Sequence, residues 1–319
     1  MSQNPTVSIL IPCYNADRWI AQAIQSALGQ TYPHKEVIVV DDGSSDRSLD
    51  IIRSFSDRIR WETGPNRGGN AARNRLLELS QGEWIQYLDA DDYLLPDKIE
   101  QQIQFLAQNP DADVIYSPHI TEELGESGVF HAPPTIAHLP LPHDLWLLTI
   151  QWKMPQTGGL LFGKQALIEI KGWREDLRHC QDYDLYVRLL MANQQFSYCD
   201  KVGAVYRWWC SGTVTRRKIA EIYRDRLAVQ GTIEAHLTAT RQLTLDRKNA
   251  INQARFEYAR RIYSWDQEWA VQVASGVKNN DPKFVPSDQI APGFYRHIYK
   301  TIGFTGAEYV AAVKRKVWK

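Results

Sequence analysis

The stretch YLDADDYLLPDKI (87–99) crowds three carboxylates, Asp89, Asp91 and Asp92, into four positions directly after WIQYL, a run that reads as a buried strand. Like charges this close repel, so the cluster needs a counterweight. Two hard oxygen donors one residue apart, Asp89 and Asp91, can share a divalent cation such as Mg2+ or Mn2+, and that cation can hold a diphosphate. The competing reading is a solvated acidic turn that caps the next helix. Asp92 is the weaker metal candidate and can serve to orient its neighbours. A second acidic cluster, VVDDGSSD (39–46), also leaves a buried strand. Asp41 and Asp42 follow the strand, Gly43 allows a tight turn, and Asp46 can cap a helix. A carboxylate here can hydrogen-bond a nucleobase or ribose, or it can simply shape a strand-to-helix loop.

The elements that must position these clusters are legible as alternating runs. VSILI (7–11), EVIVV (36–40) and WIQYL (84–88) have the short apolar pattern of buried strands, and RIRWE (58–62) and DVIYS (113–117) read as further short strands. The first is expected to end at Pro12. Helical spacing fills 17–28 and 46–55, the ARNRLLELS segment after the glycine-bearing GPNRGGN, and the stretch from Pro96 to about Gln108. Strands alternating with helices imply βαβ units and a mostly parallel sheet, whose ligands bind beyond the carboxyl ends of the strands. That rule puts Asp41, Asp42, Asp89 and Asp91 on one rim.

After residue 118 the pattern changes. HAPPTIAHLPLPHD (131–144) reads as a loop or lid within 119–156, GGLLFGK as a strand, QDYDLYVRLLMAN as a helix and VGAVYRWW as a further strand. From Arg217 the chain looks helical, with one segment to about residue 238, a long one over 245–274 and a last piece ending in AAVKRKVWK.

Composition sets bounds. The chain has 319 residues, 44% hydrophobic and 23% charged, as expected of a globular protein with a sizeable core. Lys+Arg and Asp+Glu are both 37, so the balanced charge argues against nucleic acid as a partner. Eleven Trp and fifteen Tyr suit a core, and equally suit stacking on sugars and bases. Cys13, Cys180, Cys199 and Cys210 lack metal-type spacing and read as free thiols of a reducing compartment. The N-terminus has no basic region followed by an apolar run, and no stretch approaches the roughly 20 apolar residues of a membrane span. The expected location is cytoplasmic.

The order of these pieces is similar to the nucleotide-sugar half of the family 2 glycosyltransferases. The P-x-Y-N turn, Q-T-Y-P, D-D-G-S-S-D, A-R-N, G-E-W-I and D-A-D-D follow one another as in that family from Val7 to about Leu106. A looser resemblance continues through GGLLFGKQALIEIKGWREDLRHCQDYDLYVRLL to YRWWCSGTVT (206–215). It implies an α/β GT-A fold, a mostly parallel central sheet flanked by helices, with a helical C-terminal extension. Residues 1–118 would bind the donor, 119–216 the acceptor and the catalytic base, and 217–319 would form the extension.

The resemblance also assigns positions. Pro12, Tyr14 and Asn15 would lie near the donor base, with Tyr14 as a stacking surface. Asp42 would contact the base, usually uracil; Arg73 would lie near the phosphates; Asp89, with Ala90, would reach the ribose; Asp91 would be the main metal ligand. Gly68 and Gly69 would permit close backbone approach. The base would be Asp182 of Gln181-Asp182, at a helix N-terminus that favours the ionised form, with Asp184 as runner-up. Trp173 resembles an aromatic near the acceptor, or lies in the core. Many relatives carry Y-R-x-H where this chain has Tyr206-Arg207-Trp208-Trp209, which removes a third protein ligand for the metal. Ser211, Thr213 and Thr215 can bind phosphate through hydroxyls, and Arg216 and Arg217 through charge.

The implied reaction is transfer of one sugar from a nucleoside-diphosphate sugar, most often a UDP-sugar, with inversion, aided by Mn2+ or Mg2+. The acceptor would be a glycan or lipid-linked saccharide of cell-surface polysaccharide synthesis. The processive Q-x-x-R-W motif is missing. The basic C-terminus, with Arg296, Lys300, Lys314, Arg315, Lys316 and Lys319 among aromatics, reads either as a peripheral membrane contact or as a solvated helix. Two other functions stay open: a sugar nucleotidyltransferase, although IPCYNADRW lacks its glycine- and arginine-rich phosphate loop, and a non-catalytic nucleotide-sugar-binding module.

Overall fold

A computed structural model describes residues 4–125, 132–140, 144–209 and 219–317. The chain forms two compact units, Met1–Pro142 with Lys153–Arg216, and His143–Trp152 with Arg217–Lys319.

The first unit opens with β1 (Val7–Cys13), α1 (Ile20–Leu28), β2 (Lys35–Asp41), α2 (Ser48–Arg53), β3 (Arg60–Thr63), α3 (Gly69–Leu79) and β4 (Trp84–Tyr87). It continues through β5 (Tyr93–Leu94), α4 (Lys98–Gln108), β6 (Val114–Tyr116), β7 (His119–Leu124) and β8 (Thr135–Ala137). After α5 (Leu145–Ile150), which belongs to the second unit, come a 3-10 turn (Thr157–Gly159), β9 (Leu160–Gly163), α6 (Lys164–Glu169), α7 (Gln181–Met191), β10 (Phe196–Tyr198) and β11 (Ala204–Trp209).

Seven strands pair in the order β10-β6-β9-β4-β1-β2-β3, and β9 alone runs antiparallel to its neighbours. A second sheet has the order β5-β11-β7-β8. The apolar runs are strands because both faces are covered: Val7, Ile9, Leu10 and Ile11 of β1 are fully buried, as are Ile38 and Val39 of β2. From β1 the chain goes to β2 on one side and returns through β3 and α3 to β4 on the other. This reversal opens a crevice beyond the carboxyl ends of β1 and β4.

Most boundaries shift by a residue or two, and the expected loop over 131–144 contains β8, which pairs with β7; three further differences have a clear local cause. β1 does not stop at Pro12 but continues to Cys13. Leu10 carbonyl accepts from Leu88 on the β4 side and Cys13 carbonyl from Asp42 on the β2 side. Alternation therefore points Pro12 toward β4, which has already ended, so its missing N–H leaves no gap in the ladder. α1 begins at Ile20 rather than Asp17, because the amides of Asn15, Ala16 and Asp17 are spent on Ser44 Oγ, Ser48 Oγ and Asp46 Oδ2. The expected helix over 245–274 is two helices, since Asp266 Oδ1 accepts from Trp269 N and starts a new one.

The second unit holds α5 with α8 (Ile219–Ala239), α9 (Leu245–Ile262), α10 (Gln267–Asn280) and α11 (Gly293–Val317). α11 is two helical segments joined at Gly303, whose φ of 73° only glycine adopts readily. Phe256, Phe284, Tyr295 and Tyr299 form its aromatic centre. Among the described residues no helix is long and apolar enough to cross a membrane.

Candidate active site

The exit of β1 forms one wall of the crevice. Asn15 sits at φ 48°, a left-handed conformation that asparagine tolerates. Its Oδ1 accepts from Ser45 N at 2.8 Å, and its own N donates to Ser44 Oγ at 3.0 Å. The D-D-G-S-S-D loop therefore acts as the brace of this turn. Gly43, at φ 76°, lies so close to Asn66 N that a Cβ would meet it at 2.8 Å. Asp41 is buried, accepting from Thr63 Oγ1 at 2.7 Å. Asp42 accepts from Arg67 N and Gly68 N, both at 2.8 Å. Tyr14, by contrast, is 53% exposed.

The loop after β4 forms the facing wall, and here the three crowded carboxylates part ways. Asp89 pairs with Arg73 Nη2 at 2.7 Å and accepts from Gln156 Nε2 at 3.2 Å. Asp92 turns inward, where its Oδ1 accepts from Arg207 N at 2.8 Å. Burial, then the charges of Asp91 and Asp89, push the Asp92 carboxyl well above the usual carboxylate range. Asp91 faces the crevice. Pairing of Asp89 with Arg73 offsets one charge and the raised Asp92 carboxyl favours its neutral form, and together these relieve much of the repulsion. Arg207 braces the loop: Nη1 donates to Asp91 O at 3.0 Å, Nε to Glu122 Oε2 at 3.2 Å and Nη2 to Gln22 Oε1 at 2.8 Å. Its guanidinium lies 4.5 Å from the Trp19 ring and 4.7 Å from the Tyr93 ring.

Between these walls lies a cavity of about 370 Å³. Pro12, Tyr14 and Asn15 line it from β1, and Asp89, Ala90 and Asp91 from the loop after β4, with Arg73 reaching in from α3. Ala16 and Trp19 complete the lining. A larger hollow, about 650 Å³, lies near the other ends of the strands, lined by Pro5, Tyr32, His34 and Leu106 among others. Glu100 is its charged residue and no Lys or Arg lines it, so it is a poor receptor for a diphosphate.

Asp182 enters from the first turn of α7. Burial raises its pKa; the Arg73 charge pulls it down, the Asp89 charge pushes it up, and a hydrogen bond from Thr157 pulls it down, with a net rise. Arg73 therefore sits in the fields of two carboxylates, and these outweigh its own burial to hold it protonated. Tyr206 of β11 is pushed up to about 12, by burial first and then by Asp92, Asp91, Asp89 and Asp182. Asp184 faces elsewhere, bound to Arg188 Nε at 2.7 Å.

This geometry has relatives. Residues 8–145 match the model of "Glycosyl transferase family 2". An uncharacterized glycosyltransferase of Haemophilus influenzae is 43% identical over 109 residues, 33% of this chain and 44% of that protein, so the match spans under half of that relative. The Escherichia coli UDP-Glc:alpha-D-GlcNAc-diphosphoundecaprenol beta-1,3-glucosyltransferase WfaP is 36% identical over 233 residues, 72% of this chain and 88% of that protein. The chain belongs to glycosyltransferase family 2. The Staphylococcus aureus TarS 1–349 crystal structure with UDP-GlcNAc superposes with a TM-score of 0.65 at 17% identity, covering 98% of this chain and 92% of that one. The α/β GT-A fold expected from the family motifs is the observed one.

Against the family motifs, the structure brings Pro12, Tyr14, Asn15, Arg73, Asp89, Ala90 and Asp91 to one cavity, with Asp182 in electrostatic reach. It keeps Asp42 outside that lining, on the backbone of Arg67 and Gly68. Trp173 is 2% exposed and lies under Arg73, whose guanidinium is 4.8 Å from its ring. Gln156, Thr157 and Trp19 were not foreseen as site residues. Trp19 reads as an apolar helix position, and Q-T precedes a glycine pair that signals only a turn. Ser211, Thr213, Thr215, Arg216 and Arg217 lie outside the described residues, as does the side chain of Trp209.

Proposed function

We propose that this chain is an inverting glycosyltransferase. It moves one sugar from a UDP-sugar to a hydroxyl of a lipid-linked saccharide in cell-surface polysaccharide synthesis. The observation that carries this reading is the cavity at the β1–β4 reversal, where a cation, two carboxylates and an exposed tyrosine meet. Tyr14 supplies a flat face for the uracil, and Asn15 and Pro12 the edge of its slot. Arg73 offers a fixed positive charge to the diphosphate. Burial and Asp89 make Asp182 a stronger base than an ordinary carboxylate, suited to taking the acceptor proton. The UDP-Glc donor and diphosphoundecaprenol acceptor in the name of the Escherichia coli relative support a UDP-sugar donor and a diphosphate-lipid acceptor.

The donor set bears on the metal. Among the described residues no group of three His, Cys, Asp or Glu side chains is arranged to hold a metal ion. Asp89 is engaged with Arg73, and Asp91 lines the same cavity as the principal ligand in this reading. Oxygen donors this few fit Mg2+ or Mn2+ shared with the donor phosphates, a common arrangement for such ions. When bound there, the ion would offset charge on the departing diphosphate. The Asp91 carboxylate then serves to hold it, and Arg207 to hold Asp91.

A panel of nucleotide sugars incubated with the protein, with and without Mn2+, tests the reading. Slow metal-dependent release of UDP from a UDP-sugar is expected. Formation of UTP and sugar 1-phosphate once pyrophosphate is added would indicate a nucleotidyltransferase. Donor binding with no turnover, even with lipid-diphosphate acceptor, would indicate a binding module.

A further inference from the structure

The second helical segment of α11 has two apolar faces. Phe304, Ala307 and Ala311 pack into the aromatic centre of the second unit, and Glu308 is buried beside them. At 3.6 residues per turn, positions 306, 309 and 313 fall on the opposite side. A surface helix usually turns polar residues that way. Here Tyr309 is 67% exposed and Val313 45%. Ile302, 58% exposed, lies over Gly306, where an added Cβ would meet its Cδ1 at 2.5 Å, and so extends the same stripe. The turn at Gly303 brings Phe294, 58% exposed, to the other end, with Lys314 Nζ 5.3 Å from its ring.

The sequence of α11 itself is strongly basic. Gly293–Val317 contains Arg296, Lys300, Lys314, Arg315 and Lys316. Its one acid, Glu308, is fully buried and paired with Arg260 at 2.7 Å. Arg296 is engaged with Asp288, but Lys300 and Lys314 are exposed. The chain as a whole carries no net charge, so this is a local excess.

We propose that the outer face of α11 docks on an anionic phospholipid surface. Tyr309, Val313, Ile302 and Phe294 would sink into the interface, while Lys300 and Lys314 meet the headgroups. Apolar side chains rimmed by lysines are what such a surface takes up, and each cation adds to the attraction. A second copy of the chain is a worse occupant, because a self-complementary contact would bring like charges together. The inference gives the lipid-linked acceptor reading a place of contact and rests on it for purpose only.

Flotation of the full chain with vesicles tests it without donor or acceptor. Vesicles with about one third phosphatidylglycerol should bind about tenfold more protein than pure phosphatidylcholine, and about 0.5 M salt should abolish the difference. Tyr309→Ser with Val313→Ser, and separately Lys314→Glu, should each cut binding about tenfold. All three positions are exposed, so thermal melting should stay unchanged, and donor hydrolysis should persist in both variants. Equal recovery on neutral and anionic vesicles, or wild-type binding by both variants, overturns the proposal. So does a dimer in solution that the Tyr309→Ser, Val313→Ser pair dissolves while vesicles recover nothing. Because hydrolysis is read separately, loss of vesicle binding leaves the transferase reading standing, and absence of hydrolysis leaves the docking result standing.

Discussion

Asp91 and Asp182 differ in what their neighbours ask of them, and substitution should separate the two roles. Asp182 has a raised pKa because burial and the nearby Asp89 charge outweigh Arg73 and Thr157. Asp182→Asn keeps its shape and removes its basicity. Transfer should fall about 10²- to 10⁴-fold while donor affinity, measured by calorimetry, stays within about twofold. Near-normal turnover would put the base elsewhere. Asp91→Ala should instead remove the Mn2+-dependent part of donor binding, and unchanged affinity with and without the ion would refute its assignment as ligand. The residues of this site were largely legible because each sits in a short motif at a strand end. Gln156 and Thr157 were not. Their contacts with Asp89 and Tyr186 span 67 and 29 residues, and nothing local in Q-T-G-G encodes them.

Between elements, the acidic loop is held by a buried clamp rather than by its own turn. Arg207 of β11 joins the loop after β4, α1 through Gln22 and β7 through Glu122. Tyr93 OH also donates to Glu122, at 2.7 Å. Arg207→Met would leave Glu122, 6% exposed, without its cation. An uncompensated buried charge costs about 3–5 kcal/mol, and a denaturant melt should show a loss of that size. Adding Glu122→Gln should recover part of it, since the orphaned charge is then gone. If Arg207→Met alone melts like the wild type, the clamp is not what fixes the loop. Sequence pattern shows β11 as a strand but cannot show that its arginine points inward. Periodicity fails similarly over 245–274, where apolar spacing runs on through the turn at Tyr263–Asp266 and hides a break made by one capping aspartate. It succeeds over β1, β2 and β4, where strands buried on both faces leave continuous apolar runs that no helix of that length would show.

At the scale of the whole molecule, the balance of buried titratable groups sets how stability responds to acid. His119 at the start of β7 has its pKa lowered by burial to about 4, and its Nδ1 is buried among protein atoms with no hydrogen-bond partner. An unfolded chain would protonate this histidine near its ordinary value of about 6.5. Between roughly pH 6.5 and 4 the unfolded state therefore binds the extra proton, and stability falls as pH drops through that window. Asp92 and Asp182 act in the opposite sense. Their raised folded-state values mean the native state holds protons that the unfolded state has released, so their contribution is present at low pH and lost as pH rises. Acidification should thus show a partial cancellation, with His119 opposing the two carboxyls. His119→Gln removes one side of the balance. From pH 6.5 to pH 4 its unfolding free energy should fall less than that of the wild type, by about 2 kcal/mol once partial exposure of the ring is allowed for. Parallel curves for the two proteins would mean that this histidine is solvated and titrates normally when folded. A variant curve that rises toward low pH would expose the unopposed contribution of Asp92 and Asp182.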